Sequence, residues 1–223
     1  MIKITAIVST ILVASLMLAS CGTKTETTKA TSKPQATATA VAQTGKSVEE
    51  LTEKKDYITI KVNVNGETKN MSGEIYPELA PETVKNFEKL VDEQFYTGLI
   101  FHRVIPGFMI QGGGYDKDMK QKDADPIKGE FNSNGFDNPL KHTEGVLSMA
   151  RTQVPDSASS QFFIMHKDYP SLDGEYAAFG KITEGIEVID EIANVSTTSL
   201  QNGMSDVPVD AVVIEEISYT KGE

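Results

Sequence analysis

The 223-residue chain has no tryptophan, one cysteine and three histidines. A lone cysteine excludes an intrachain disulfide and any zinc site built on cysteine pairs. His102, His142 and His166 lie far apart, with no HxH or HxxxH spacing, so no metal site is expected and no cofactor is called for. Positive charge is also scarce. Lysine and arginine number 21 against 32 aspartates and glutamates, for a net charge of −11. That balance argues against a nucleic-acid partner, which needs a basic face, and against holding an anionic lipid surface by charge. The length fits one domain with extensions, or two very small ones.

The one apolar run is N-terminal. Ile4 to Ala19 matches the length of a signal-peptide core and is short for a membrane-spanning helix. It ends in Leu18-Ala19-Ser20-Cys21. That run is similar to the lipobox of bacterial lipoproteins: a leucine, two small residues, then the cysteine that receives a diacylglycerol before cleavage. The resemblance implies a signal peptide over residues 1–20, lipidation at Cys21, and a lipid-anchored protein on the extracytoplasmic face of the cell membrane. Two or three acyl chains hold a protein far better than one, at about 0.8 kcal/mol per buried CH₂.

Residues 22–50 are rich in Thr, Ala, Lys and Ser and have no aromatic residue. They cannot bury enough apolar surface to offset ordering entropy, which predicts a disordered tether over residues 21–52. A flexible chain of that length reaches roughly 30 Å. Five lysines and three glutamates fall in residues 1–52, so the acidity belongs to the domain over residues 53–223.

Within that domain Tyr57 to Val64 alternates and is β-rich. Asn65-Gly66 signals a type I′ hairpin into a strand ending near Tyr76. Pro81 suits a first helical turn. Val84, Phe87, Leu90 and Val91 then give an amphipathic helix to about Gln94. Short strands are expected over 99–104, 108–111, 145–150, 161–165 and 177–182. A long irregular excursion is expected over 112–145 and a second helix around Ile186–Ala193. A closing strand is expected over 209–219, with Pro208 at its start. Many short strands and two helices suggest a closed or nearly closed antiparallel barrel with helical caps.

Four ordered blocks carry a specific resemblance. They are Phe101-His102-Arg103-Val104-Ile105-Pro106-Gly107-Phe108-Met109-Ile110-Gln111-Gly112-Gly113, then Gly145 to Arg151, then Ser159 to Ile164, then Leu172-Asp173-Gly174 with Phe179-Gly180-Lys181. This pattern resembles the signature of the cyclophilin-type peptidyl-prolyl cis–trans isomerases, over about Tyr57 to Tyr219. The resemblance implies a mainly β fold, a closed eight-stranded antiparallel β-barrel capped by two α-helices. It also implies isomerisation of X–Pro bonds in proline-containing unfolded or extended polypeptides, by a monomer without cofactor.

The residues can be asked what that chemistry needs. The X–Pro amide resists rotation by about 18–20 kcal/mol of resonance. No bond breaks. A catalyst needs a dry pocket for the proline ring, a hold on the flanking chain, and a donor that favours a pyramidal nitrogen. Arg103 has the permanently charged, planar fork for the last task, and the family resemblance implies the same role. The resemblance further implies that Phe108, Met109, Phe163 and Leu172 form the proline pocket. Phe162 and Phe163 are adjacent on a strand and must face opposite ways. Gln111 and Gln161 are polar positions in apolar strands, and buried amides need partners; the resemblance implies that the first holds the arginine and the substrate backbone and that the second lies along the groove. Backbone around Ala150 and Arg151 is expected to grip the peptide. His102 is expected to be structural, because no proton moves.

Three departures from the family pattern stand out. Ser171 falls where cyclosporin-sensitive members have tryptophan, so weak cyclosporin binding is expected. Tyr176 falls where many have a groove-lining histidine. Arg151 replaces a frequent asparagine, with little effect expected because the role there is mainly that of the backbone. The loop over residues 115–139 does not align cleanly with the family pattern and receives no site residue. A competing reading keeps the fold but makes the chain a peptide-holding chaperone with incidental isomerase activity.

Overall fold

The computed structural model describes residues 48–222. Cys21 and the tether up to residue 47 lie outside the described residues. The first described element is one helical turn, α1 (Val48–Leu51), whose Leu51 is buried in the core. Residues 48–51, which fall in the stretch expected to be tether, are thus helical. A single leucine at the end of a polar stretch is enough to dock that turn.

The strands are β1 (Asp56–Val64), β2 (Glu67–Ile75), β3 (Leu99–Ile105), β4 (Met109–Asp116), β5 (Val146–Met149), β6 (Phe162–Met165), β7 (Ala178–Glu184), β8 (Thr197–Thr198), β9 (Val207–Pro208) and β10 (Val213–Thr220). Eight of them close into an antiparallel barrel in the order β1-β10-β3-β4-β6-β5-β7-β2. The remaining two, β8 and β9, pair only with each other. In β1 the alternation is plain: Ile58, Ile60, Val62 and Val64 are buried, with the residues between them facing outward. Asn65 and Gly66 both take positive φ, 53° and 84°, as a type I′ turn requires.

Two long helices cover the barrel, α2 (Pro81–Asp92) and α3 (Ile186–Ala193). Helix α2 inserts Phe87, whose ring lies 5.2–5.7 Å from those of Tyr96, Phe162 and Phe179. Ala80 at its N-terminus offers no capping side chain. Glu130 supplies the cap from 47 residues away. Its carboxylate oxygens accept from the Glu82 and Thr83 N–H groups at 3.0 and 2.8 Å. A carboxylate there satisfies two orphan donors and complements the helix dipole. At the other end of the chain, Lys221 bridges the carboxylates of Asp56 and Glu88, and the Gly222 N–H donates to Asp56.

Several boundaries differ from expectation. Strand β4 runs on to Asp116 through Gly112-Gly113-Gly114, where loop was expected. Gly113 has φ +83°, and a Cβ there would meet the Ser160 carbonyl at 2.9 Å. These glycines let β4 continue where neighbouring segments crowd it. The closing strand starts at Val213, and Pro208 sits in the small β8–β9 ladder instead of at its start.

Candidate functional site: a proline-sized cleft on the barrel wall

The register of the sheet gathers residues distant in sequence. Arg103 on β3 stands opposite Gln111 on β4. Gln111 stands opposite Phe163 on β6, and Phe163 opposite Ser148 on β5. Cross-strand partners share a face, so these four form one row across the outside of the barrel. Phe162 points the other way, against Phe87 in the core. Met109, two residues before Gln111, joins the same outer face. Met109, Val146, Phe163, Met165 and Ala178 make a second hydrophobic cluster, with Phe108, Leu172 and Tyr176 packed at its edge.

The open surface of that cluster is a cleft of about 140 Å³. Arg103, Phe108, Met109, Gln111, Ala150, Arg151, Phe163, Leu172 and Tyr176 line it. Ligand pockets usually run to roughly 300–1,000 Å³, so this one suits a single small ring. Gln161 does not line it. It lines an adjoining polar cleft of about 260 Å³, which shares Gln111, Ala150 and Arg151 and adds Lys122, Asp123 and Ser157. The two glutamines are tied: the Gln111 Nε2 donates to Gln161 Oε1 at 2.9 Å. Gly114 makes room for this, since a Cβ there would fall 2.5 Å from the Gln161 Cγ.

Arg103 has a side chain 41% exposed, with Nε 4.0 Å from Asp206 Oδ2. Asp206 holds a positive φ of 60°, and its carbonyl accepts from the Val104 N–H. Nothing in the sequence pattern singled it out.

Below the cleft lies a buried polar chain. His142 Nε2 is 3.0 Å from the Ser148 hydroxyl, and its Nδ1 is 3.2 Å from Asp173 Oδ1, which also accepts the His142 N–H at 2.8 Å. The carboxylate can only accept, so Nδ1 carries the proton and Nε2 accepts from Ser148. Burial pulls the His142 pKa down, and Asp173 works against that pull. The order of groups is that of a hydrolase triad, but Ser148 is fully buried and no scissile bond can reach it. The imidazole instead stacks near Phe163, ring centres 6.0 Å apart and 20° from parallel, and fixes the pocket floor from beneath. The sequence signal was a serine within an otherwise apolar strand.

His102 is buried in the wall beside Arg103, its ring edge-on to Tyr115 at 4.7 Å. Burial draws its pKa down to about 4, so it is neutral at ordinary pH.

Residues 57–219 match the family model described as cyclophilin type peptidyl-prolyl cis-trans isomerase/CLD. The chain belongs to this family. A peptidyl-prolyl cis-trans isomerase of Acinetobacter baylyi is 48% identical over 154 residues, covering 66% of this chain and 79% of that one. Peptidyl-prolyl cis-trans isomerase B of Escherichia coli is 46% identical over 156 residues, covering 66% and 91%. The crystal structure of a Cryptosporidium parvum cyclophilin-type isomerase in the presence of the dipeptide Ala-Pro superposes with a TM-score of 0.59 at 29% identity. That match covers 74% of this chain and 99% of the other. The closed eight-stranded barrel is the cyclophilin fold.

In this cyclophilin Arg151 does more than its expected backbone role. Its guanidinium lies over the rings of Phe131 and Tyr176, at 4.8 and 4.7 Å, and donates from Nε and Nη2 to the Glu175 carbonyl and from Nη1 to the Thr152 carbonyl. It therefore clamps Tyr176, whose ring meets Phe163 edge-on at 5.8 Å. An asparagine is too short to bridge those groups. The Ala150 N–H is already taken by the Gln161 carbonyl, so that donor is closed to a bound peptide. Ser171 is exposed on the 3₁₀ turn Pro170–Leu172. Beside it Tyr169, which the sequence reading passed over, packs on Phe108.

Proposed function

We propose that this cyclophilin isomerises X–Pro bonds of exported polypeptides on the outer side of a membrane to which Cys21 anchors it, and so assists their folding. The observation that carries the reading is Arg103 at the rim of a ring-sized apolar cleft. The proline ring enters between Phe108, Met109, Phe163 and Leu172, where water is excluded. The guanidinium of Arg103 then faces the amide. As the amide twists, its nitrogen loses resonance and gains basicity, and a fixed charged donor stabilises that state more than the planar one. No proton is transferred and no covalent intermediate forms. Gln111, held by Gln161, presents a fixed amide beside the same bond. The Leu18-Ala19-Ser20-Cys21 run supports the location.

Two measurements test the parts separately. NMR exchange on a short X–Pro peptide should show catalysis by the purified domain, and a rate equal to that of the free peptide would leave only a peptide-holding role. Cys21→Ala should shift the protein from the membrane fraction to precursor or soluble forms. Unchanged partition with no lipid on residue 21 by mass spectrometry would sink the anchoring.

A further inference from the structure

The floor and walls of the cleft account for the proline ring, but the apolar surface does not stop at its rim. Tyr169 stands 42% exposed. Its ring centre is 4.5 Å from that of Phe108, tilted by 47°. Phe108 belongs to the proline cleft and not to the polar cleft next to it. The Phe108–Tyr169 pair therefore continues the apolar wall on a part of the cleft that the polar cleft does not share.

This shelf is preorganised. The Tyr169 N–H donates to the His142 carbonyl at 2.8 Å, and its own carbonyl accepts from the Leu172 N–H at 3.1 Å. Pro170 follows it and fixes the next φ. Asp168, just before it, accepts from the Glu144 N–H. An exposed aromatic on a rigid turn, packed against a wall of the substrate cleft, costs little ordering entropy when a ligand covers it. Its face also has no other described ring than Phe108 among the aromatic contacts of the domain.

We infer that Tyr169 is a specificity-determining residue: with Phe108 it forms a subsite for an aromatic side chain flanking the proline, on the side of the peptide that leaves the cleft over Phe108. This rests on the isomerase reading of the cleft. A peptide bound in extended form places residues on both sides of the proline. One side runs toward Ala150 and the polar cleft, the other over the shelf. Aromatic pairs favour tilted and edge contacts of the kind Phe108 and Tyr169 already make, and a third ring from the substrate can join them. The polar cleft, lined by Lys122, Asp123 and Ser157, offers no such partner.

Two peptide series test this, one with Phe placed before and one with Phe placed after an X–Pro unit, against an all-alanine reference. KM and kcat are measured by NMR exchange for wild type, Tyr169→Ala and Tyr169→Phe. In one series only, wild type should show a lower KM for Phe than for Ala, and Tyr169→Ala should raise that KM by about three- to tenfold. Tyr169→Phe should keep the preference, kcat should be unchanged, and the reference peptide should be unaffected. Equal effects on Phe and Ala peptides, or no preference in wild type, would overturn the subsite. Peptide binding is followed in parallel by chemical-shift titration. Should the wild type bind but not catalyse, the isomerase reading fails, while the titration still decides the subsite by the same comparison.

Discussion

Replacing Arg103 by alanine separates catalysis from folding. The guanidinium contributes little to stability. Its nearest carboxylate, on Asp206, is 4.0 Å away, and both side chains are about two-fifths exposed. An ion pair of that kind is worth about 0–1 kcal/mol, which moves the melting temperature of a domain this size by no more than roughly 4 °C. The catalytic effect is larger. A rotation barrier near 20 kcal/mol allows about 10⁻² events per second. One fixed donor aimed at the charge that develops in the transition state contributes about 3 kcal/mol in other enzymes, or a factor of roughly one hundred or more. Arg103→Ala should therefore lower kcat/KM about a hundredfold in NMR exchange or a protease-coupled assay, with a near-normal melt. Arg103→Lys should recover part of the loss, because a point charge lacks the planar fork. Phe163→Ala should act differently. Phe163 is 5% exposed, so its loss should weaken peptide binding and cost about 3 kcal/mol of stability. Near-normal activity in a folded Arg103→Ala protein would refute the mechanism, whatever the fold.

Three further outcomes are expected. Glu130→Ala strips two partners from the start of α2 and should lower the melting temperature by roughly 5–10 °C, about 2–3 kcal/mol; an unchanged melt would show that the cap is idle. His102 has its pKa drawn from 6.5 to about 4 in the fold. The unfolded chain thus takes up the proton first on acidification, and stability should fall between pH 6.5 and pH 4, by about 3 kcal/mol in all. His102→Gln should flatten that part of the profile, which melts across the range would check; an equal slope in the variant would assign the acid sensitivity to other groups such as His142. Ser171 offers no indole N–H and no broad face, so cyclosporin should inhibit some thirtyfold to a thousandfold more weakly than it does a tryptophan variant, Ser171→Trp. Nanomolar inhibition of the wild type would contradict this.

The parts legible in the sequence were those with a local period or a contiguous motif. The β1 alternation, the Asn65-Gly66 turn and the α2 stripe all carry their meaning within ten residues, and the structure has them within a residue or two. All the cleft residues but Tyr176 came from the motif blocks, and nine of the ten residues proposed for substrate contact and catalysis share the ring-sized cleft, with Gln161 next door. What escaped was non-local. Glu130 caps a helix 47 residues back, and Asp173 reaches His142 across 31 residues. Asp206 approaches Arg103 through a loop with no pattern of its own. The clamp of Arg151 on Tyr176 depends on the path of residues 152–175. Tyr169 lies outside every motif block, and only the fold lays it on Phe108.

The closed ladder has a consequence for the company this protein keeps. Unfolded chains carry unpaired backbone groups, and an open sheet edge is a template on which such chains stack. Here the order of strands returns to its starting point, with β1 bonded to both β2 and β10. The row from Arg103 through Gln111 to Phe163 is read from the flat of the sheet, by side chains, and not along a margin. At that wall a bound polypeptide meets side chains, and the barrel offers it no strand to continue. An isomerase built this way can work among concentrated, half-folded polypeptides without its barrel becoming the template on which they stack.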